Sequence, residues 1–147
     1  MKTAIILINW HGADDTIACL ESLSRMNEQH TVVIGDNGST DDSVARIQQW
    51  LDDNAGRPNV SGYRIVELGK NYGFAVGNNK ALDVAMQDAP DYCMLLNNDT
   101  EVEPDTLTHL LDYVKANPTV KVLSPCICYH GNKEKVWFSG GRLTFGT

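Results

Sequence analysis

The residues best suited to chemistry follow a short apolar run at residues 92–96. That run stops at Asn97, Asn98 and Asp99, and Glu101 stands two positions further on. Carboxylate and amide oxygens are the hard ligands that Mg²⁺ and Mn²⁺ take, with substrate phosphates supplying the rest. The pattern predicts a buried strand with a divalent metal at its carboxyl end, held by Asp99, with Glu101 as a further candidate. The alternative is an ordinary turn, because Asn and Asp favour turns by themselves.

Polar clusters also follow three other short apolar runs. The four clusters are Asn9-Trp10-His11, Asp36-Asn37-Gly38-Ser39, Lys70-Asn71-Tyr72-Gly73 and Asn97-Asn98-Asp99. If the runs are parallel strands, their carboxyl ends meet at one edge of a sheet, where open α/β sheets bind their ligands. Unrelated turns do not require Asp, Asn and an aromatic residue together. The coincidence therefore favours one binding crevice that faces all four clusters.

Strands and helices must alternate to place the clusters in this way, and the sequence has that alternation. We predict strands at residues 4–8, 31–35, 64–68, 92–96, 120–123 and 136–138. We predict helices at about residues 14–25 and 73–87, one that starts at residues 39–42 and carries Val44, Ile47, Trp50 and Leu51 inward, and one that starts at Pro104. This alternation predicts an α/β fold with a mostly parallel, doubly wound sheet and helices on both faces.

The composition limits the classes of protein that fit. A length of 147 residues is typical of one domain. The balance of 12 basic and 19 acidic residues gives a formal charge of −7, which argues against a nucleic-acid partner. The apolar runs are too short for a signal peptide or a membrane span. Four cysteines without a secretion signal indicate reduced thiols in a cytoplasmic protein, and Cys126 and Cys128 lack a second Cys/His pair at zinc-site spacing.

Two of the clusters leave alternatives open. Asp36 can accept hydrogen bonds from a nucleobase imide or a ribose hydroxyl, or it can cap the helix that follows. Trp10 or His11 can stack on a base, or Trp10 can belong to the core. Asn37 and Gly38 allow the chain to reverse tightly, because glycine tolerates a positive φ.

Residues 71–79 form a glycine-rich start to a predicted helix. Gly73 and Gly77 lie four positions apart and permit close approach by a ligand, and a helix N-terminus offers N–H groups to phosphate or ribose oxygens. The alternative is that these glycines serve packing alone. The segment matches neither the Walker pattern nor the dinucleotide-binding glycine pattern.

Taken in order, the four motifs resemble family 2 glycosyltransferases with the GT-A nucleotide-diphospho-sugar-binding fold, and their rhamnosyltransferase-like branch most closely. The resemblance implies an inverting enzyme of polysaccharide biosynthesis. Its donor would be a UDP- or dTDP-linked sugar, with rhamnose as one candidate, and its acceptor a glycan or a lipid-linked sugar.

The resemblance also implies roles for single residues. Asp99 matches the final Asp of the DxD motif, which coordinates Mn²⁺ or Mg²⁺, whereas Asn97 stands where many members have the first Asp. The residues expected to bind the donor nucleotide are Asn9, Trp10, Asp36, Asn71, Gly73, Phe74, Gly77, Asn78, Asn97 and Asn98.

The general base of the family lies in a region that follows these motifs, and we predict no catalytic residue in this chain. Residues 1–147 are expected to be a single domain truncated before the acceptor half. Such a fragment would bind donor but turn over poorly. Residues 139–142 resemble the start of that second half, which would place Arg142 near donor or acceptor. In the full protein, peripheral association with a membrane would fit a lipid-linked acceptor.

Two other functions remain open. A nucleotidyltransferase shares this architecture but would place a basic, glycine-rich loop after the first strand, where this chain has Asn9, Trp10, His11 and Gly12. A non-catalytic nucleotide-sugar-binding module would keep the fold without the reaction.

Overall fold

The structure is a computed structural model that describes residues 1–141 of the chain. These residues belong to two compact units, and the boundary between the units follows Pro104. The four polar clusters all lie in the first unit.

The first unit is built on a four-stranded parallel sheet with the strand order β3-β2-β1-β4. The strands are β1 (Thr3–Asn9), β2 (His30–Asp36), β3 (Val60–Glu67) and β4 (Tyr92–Leu95). The helices between them are α1 (Ala13–Leu23), α2 (Ser43–Asp53) and α3 (Gly73–Ala85), and one turn of 3₁₀ helix (Met86–Asp88) follows α3.

The continuous apolar sequence of β1 explains its central place, because successive side chains point to opposite faces and both faces must be covered. On one face, Ile6 packs with Ala81 and Ala85 of α3. On the other face, Ile5 and Leu7 are fully buried, and α1 contacts this strand. The predicted parallel sheet with helices on both faces is confirmed.

The register of the strands brings their carboxyl ends to one edge. Asn9 pairs with Asp36, and Asp36 pairs with Glu67 on the next strand. On the other side of β1, the backbone N–H of Leu96 donates to the carbonyl of Ile6 at 3.0 Å. All four polar clusters therefore begin at the same edge of the sheet.

Several predicted elements differ from the structure, and the strand predicted at residues 64–68 begins earlier, at Val60. The helix expected from residues 39–42 starts at Ser43, because Ser39 is held by hydrogen bonds in a turn with Asp36. The strand predicted at residues 120–123 is wrong, and Val122 there is 90% exposed. The backbone N–H of Val120 donates to the Asn117 carbonyl at 2.9 Å, so the segment begins in a turn and not in a strand ladder.

The second unit contains α4 (Thr106–Ala116) and a separate antiparallel pair of strands. The pair consists of β5 (Ile127–Tyr129) and β6 (Asn132–Phe138), so the strand predicted at residues 136–138 is the end of a longer one. Arg142 lies outside the described residues. Within residues 1–141, no helix is long and apolar enough to cross a lipid bilayer.

Gly38 lies against the backbone of Lys70, and Gly38→Ala is expected to destabilise the fold more than Gly56→Ala does. Both glycines have a positive φ, 81° and 84°, which disfavours alanine by roughly 1–2 kcal/mol. A Cβ on Gly38 would stand 2.5 Å from Lys70 Cα, whereas a Cβ on Gly56 would meet nothing within 4 Å. Steric overlap with Lys70 should add a further loss of about 1–3 kcal/mol of stability in Gly38→Ala, but not in Gly56→Ala. Urea denaturation measures the unfolding free energy of each variant. Equal losses of stability in the two variants would contradict the close contact between Gly38 and Lys70.

His30 is expected to make the stability of the first unit depend on pH. It is 2% exposed, its Nδ1 bonds to the carbonyl of Glu28 at 2.9 Å, and its Nε2 has no hydrogen-bond partner among residues 1–141. Burial lowers the pKa of His30, and the hydrogen bond to Glu28 opposes that shift. The unfolded chain, where histidine titrates near about 6.5, therefore binds the proton more readily than the folded chain. Stability must fall as the pH drops below that value, until the folded-state pKa is reached.

His30→Asn should remove this dependence. The difference in unfolding free energy between the wild type and the variant should shrink between pH 7 and pH 5, with a slope of at most about 1.4 kcal/mol per pH unit. Urea denaturation at each pH measures it. His109→Asn is the control, because the His109 side chain is 76% exposed. A constant difference for His30→Asn would show that His30 titrates alike in both states.

Candidate functional site

Asn9, the last residue of β1, lies at the centre of a buried hydrogen-bond network. Its NH₂ group donates to Asp36 Oδ1 at 2.7 Å and to Ser39 Oγ at 3.2 Å. Its Oδ1 accepts from the hydroxyl of Thr16 at 2.9 Å and from the backbone N–H of Gly12 at 3.3 Å. The side chain is fully buried, and these bonds use its two donors and both acceptor positions. Asn9 thus joins β1, α1 and the loop after β2.

Asp36, at the end of β2, is a buried carboxylate that is 2% exposed. Besides the bond from Asn9, its Oδ1 accepts from the hydroxyl of Ser39 at 2.6 Å and its Oδ2 from the backbone N–H of Ser39 at 2.9 Å. A buried charge is strongly unfavourable without such partners. In the structure Asp36 therefore organises the turn after β2, and a contact with a ligand stays a prediction.

Asn37 joins the loop after β2 to the loop after β3. Its Oδ1 accepts from the backbone N–H of Tyr72 at 2.9 Å, and its NH₂ group donates to Asn71 Oδ1 at 3.1 Å and to the Gly73 carbonyl at 3.4 Å. Asn71 Oδ1 also accepts from the backbone N–H of Gly73 at 2.8 Å. Because backbone N–H groups only donate, they fix the orientation of both amides.

Gly77 and Asn78 support this loop from inside α3. Both residues are buried, and a Cβ on Gly77 would lie 3.4 Å from the amide of Asn37. The NH₂ group of Asn78 donates to the carbonyl of Phe74 at 2.9 Å. The structure therefore places these two residues behind the start of the helix and leaves Gly73 and Phe74 exposed in front of it.

The loop after β4, residues 97–102, is held by two hydroxyl groups of α1. Asn98 donates from its NH₂ group to Thr16 Oγ1 at 3.0 Å, and the backbone N–H of Val102 donates to Ser22 Oγ at 3.1 Å. Asp99 is exposed and lies between these two attachments. Since Thr16 also donates to Asn9, one network connects the end of β4 to the end of β2.

Two exposed aromatic side chains and two lysines, Lys70 exposed and Lys80 half-buried, line the same edge. Trp10 is 54% exposed, so the alternative that it belongs to the core is wrong, and Phe74 is 64% exposed. The Nζ atoms of Lys70 and Lys80 lie 5.0 Å and 4.5 Å from the centre of the Tyr72 ring. The start of α3 therefore carries two positive charges, although the chain as a whole is acidic.

His11 fastens the loop after β1 to the loop after β2. Its backbone N–H donates to Ser39 Oγ at 2.9 Å, and its Nε2 accepts from the backbone N–H of Thr40 at 2.9 Å. The residue has a φ of 53°, which is uncommon for a residue with a side chain. Its ring lies 5.1 Å from the Trp10 ring, measured between centroids.

Thr16 was not predicted from the sequence, and Ser39 was predicted only as part of a polar cluster with no role in the site. The Asp-x-x-Ser spacing of Asp36 and Ser39 is a recognisable local turn pattern and could have identified the serine. Thr16 has no such signal, because its contacts with Asn9 and Asn98 exist only after α1 has packed on the sheet.

The sequence model of one protein family, described as glycosyl transferase family 2, matches residues 4–143. The chain belongs to this family. No curated protein sequence matches the chain. The rhamnosyltransferase-like branch has no support from these findings.

Solved structures agree on the fold of this glycosyltransferase family 2 chain. A mannosyltransferase, PcManGT from Pyrobaculum calidifontis in complex with GDP-Man and Mn²⁺, has a TM-score of 0.67 at 20% identity, over 86% of this chain and 35% of its own. Residues 1–349 of TarS from S. aureus have a TM-score of 0.65 at 19% identity, over 80% of this chain and 33% of theirs. The predicted GT-A fold is confirmed, and the chain spans about a third of the length of these structures.

The loop after β4 carries two carboxylates, Asp99 and Glu101, of the chemical kind that divalent cations bind. Asp99 and Glu101 are both exposed, and their negative charges add to the effect of burial in raising the pKa of Cys19. Within residues 1–141, no group of three or more His, Cys, Asp or Glu side chains is arranged to hold a metal. Mg²⁺ commonly takes only one or two carboxylates and completes its coordination with phosphate and water oxygens. The metal predicted at Asp99 therefore stays a prediction, one that requires a phosphate-bearing ligand to complete the coordination.

Cys19 should resist alkylation in the folded family 2 chain. Burial, assisted by the charges of Asp99 and Glu101, raises its pKa to about 12, and only the thiolate is a good nucleophile. Iodoacetamide at pH 8 is expected to modify the exposed Cys126 long before Cys19, as measured by peptide mass spectrometry. In denaturant the two rates should become similar. Early labelling of Cys19 in the folded protein would contradict the placement of the loop beside it.

Proposed function

We propose that this chain is the donor-binding portion of an inverting glycosyltransferase that moves a sugar from a nucleoside diphosphate to an acceptor hydroxyl. The observation that carries the proposal is the hydrogen-bond network that joins the ends of β1, β2 and β4 beside the exposed Asp99. Membership of glycosyl transferase family 2 supports it. The proposed donor is UDP- or dTDP-linked, with rhamnose as one candidate sugar, and the acceptor is a glycan or lipid-linked sugar in polysaccharide biosynthesis.

The predicted nucleotide-binding residues would act in two ways, according to their exposure. Trp10, Asn71 and Phe74 are exposed and can touch the nucleoside directly. Asn9 and Asp36 are buried, and their side chains are bonded to one another, so they would act by holding the loops that carry the exposed residues. An aromatic ring suits stacking on a base, because every base has a π-face.

The diphosphate would lie between the start of α3 and the loop after β4. The helix offers backbone N–H groups at its N-terminus, and Lys70 and Lys80 add positive charge there. Asp99, with Glu101 and Asn98 beside it, would hold Mn²⁺ or Mg²⁺. When bound, such an ion stabilises the negative charge that develops on the departing diphosphate.

Transfer also requires a base that removes the proton of the acceptor hydroxyl within hydrogen-bond distance. None of the residues proposed for the donor site has that role, and we place the base in a part of the enzyme beyond the matched motifs. The 147-residue chain is accordingly proposed to bind donor and to transfer sugar poorly or not at all. All four cysteines are free thiols, which supports a reducing compartment such as the cytoplasm.

Nucleotide binding by the full chain should depend on Mn²⁺ and on Asp99. We expect one of UDP, dTDP and GDP to raise the melting temperature only when MnCl₂ is present. A ligand at a hundred times its dissociation constant adds about 2.7 kcal/mol of stability, which is several degrees in a domain of this size. Thermal unfolding followed by fluorescence measures the shift.

Asp99→Asn should abolish the metal-dependent part of that shift, because the amide lacks the charge that binds the ion. Asp83→Asn is the matched control, since Asp83 is an exposed residue of α3 outside the site. A metal-dependent shift that persists in Asp99→Asn would show that the metal binds at another residue. No shift with any nucleotide in the wild type would count against the proposed function itself.

A further inference from the structure

We propose that Thr16 is a positioning residue that couples the metal-bearing loop, residues 97–102, to the nucleoside end of the site through Asn9. The inference rests on the proposed function. Thr16 is 0% exposed and makes two hydrogen bonds, one from Asn98 at 3.0 Å and one to Asn9 at 2.9 Å. It is the residue of α1 that connects the two ends of the site.

The direction of every hydrogen bond in this chain of residues is set by Asp36. A carboxylate only accepts, so Asn9 must turn its NH₂ group towards Asp36. The Oδ1 of Asn9 then faces Thr16, and the backbone N–H of Gly12 requires the same orientation. The hydroxyl proton of Thr16 therefore goes to Asn9, and its oxygen is left to accept from Asn98.

These hydrogen bonds fix the orientation of the side-chain amide of Asn98, the neighbour of Asp99. Because Thr16 accepts, Asn98 must present its NH₂ group to Thr16 and turn its Oδ1 away. Asp99 is thereby preceded by an amide of fixed orientation, whose oxygen is free of the Thr16 contact. The buried carboxylate of Asp36 thus determines that Asn98 turns its NH₂ group towards Thr16 and its Oδ1 away from it.

Gly12 gives independent support, because it leaves room for the Asn98 amide. A Cβ on Gly12 would lie 3.1 Å from Asn98 Nδ2, which is tighter than ordinary contacts. The far end of the loop is held as well, since Val102 donates to Ser22 Oγ and the hydroxyl of Ser22 donates to the Cys19 carbonyl at 2.7 Å. The stretch of main chain that carries Asp99 is therefore attached to α1 on both sides of that residue.

The coupling is tested with isosteric and conservative changes at Thr16 in the full chain. Thr16→Val keeps the shape of the side chain but removes the hydroxyl. Asn98 then loses the oxygen to which it donates, and the Oδ1 of Asn9 loses one of the two groups that donate to it. Loss of a residue that orients a metal ligand typically weakens metal binding by about 10- to 100-fold. The ratio of nucleotide dissociation constants without and with MnCl₂, measured by calorimetry, should fall by that order in Thr16→Val. Thr16→Ser, which keeps the hydroxyl, should restore it.

Two further variants keep the test decisive if Thr16→Val folds poorly. Gly12→Ala leaves the Thr16 hydroxyl in place and displaces Asn98, and should lower the same ratio. The backbone φ of Gly12 is −128°, so alanine there does not require the left-handed conformation. Thr31→Val is the matched control, because Thr31 lies at the opposite end of the sheet and should leave the ratio unchanged.

The outcomes separate this inference from the function on which it rests. Loss of the Mn²⁺ effect in Thr16→Val and Gly12→Ala, with recovery in Thr16→Ser, supports the coupling. A wild-type Mn²⁺ effect that persists unchanged in Thr16→Val and Gly12→Ala overturns the coupling alone. A wild type whose nucleotide binding is indifferent to Mn²⁺ overturns the proposed metal site and the coupling with it.

Discussion

The buried carboxylate of Asp36 is the constraint on which the rest of the site depends. A charge at 2% exposure must be compensated by donors, and here a side-chain amide, a hydroxyl and a backbone N–H supply them. The amide belongs to Asn9 at the end of β1, and the hydroxyl and the backbone N–H both belong to Ser39 in the loop after β2. The hydrogen bonds to this one charge therefore determine where the loops after β1 and β2 lie. Asn9 extends the same network to α1 through its hydrogen bond from Thr16.

The parallel sheet makes this arrangement possible. Strands that run in one direction deliver all their polar ends to one edge, and the helices between them cover both faces of the apolar strands. The same helices then take part in the site, since α1 holds the loop after β4 and α3 begins where the loop after β3 ends. Scaffold and site share their residues here, as Thr16 illustrates.

Much of the first unit could be predicted from the sequence, because its signals are local. The strands at residues 4–8 and 31–35 are continuous apolar runs, and Gly73 marks the start of α3 as expected. The strand expected at residues 120–123 failed, because its valine-rich composition resembles a strand while Val122 is exposed and the segment pairs with no strand among residues 1–141. Within the site, the clusters at the strand ends were found, but the burial of Asn9 and Asp36 was not. Burial depends on what packs around a residue, and no spacing in the sequence records it.

The fit of Gly38 against Lys70 has a consequence for how such a crevice can diversify. The loops after β2 and β3 touch through their main chains, and Asn37 bonds to backbone groups on either side of the contact. Main-chain contacts of this kind tolerate neither an inserted residue nor a shortened turn in one partner alone. The two loops must therefore vary together, and anyone who grafts a new specificity onto this scaffold has to transplant both as one piece.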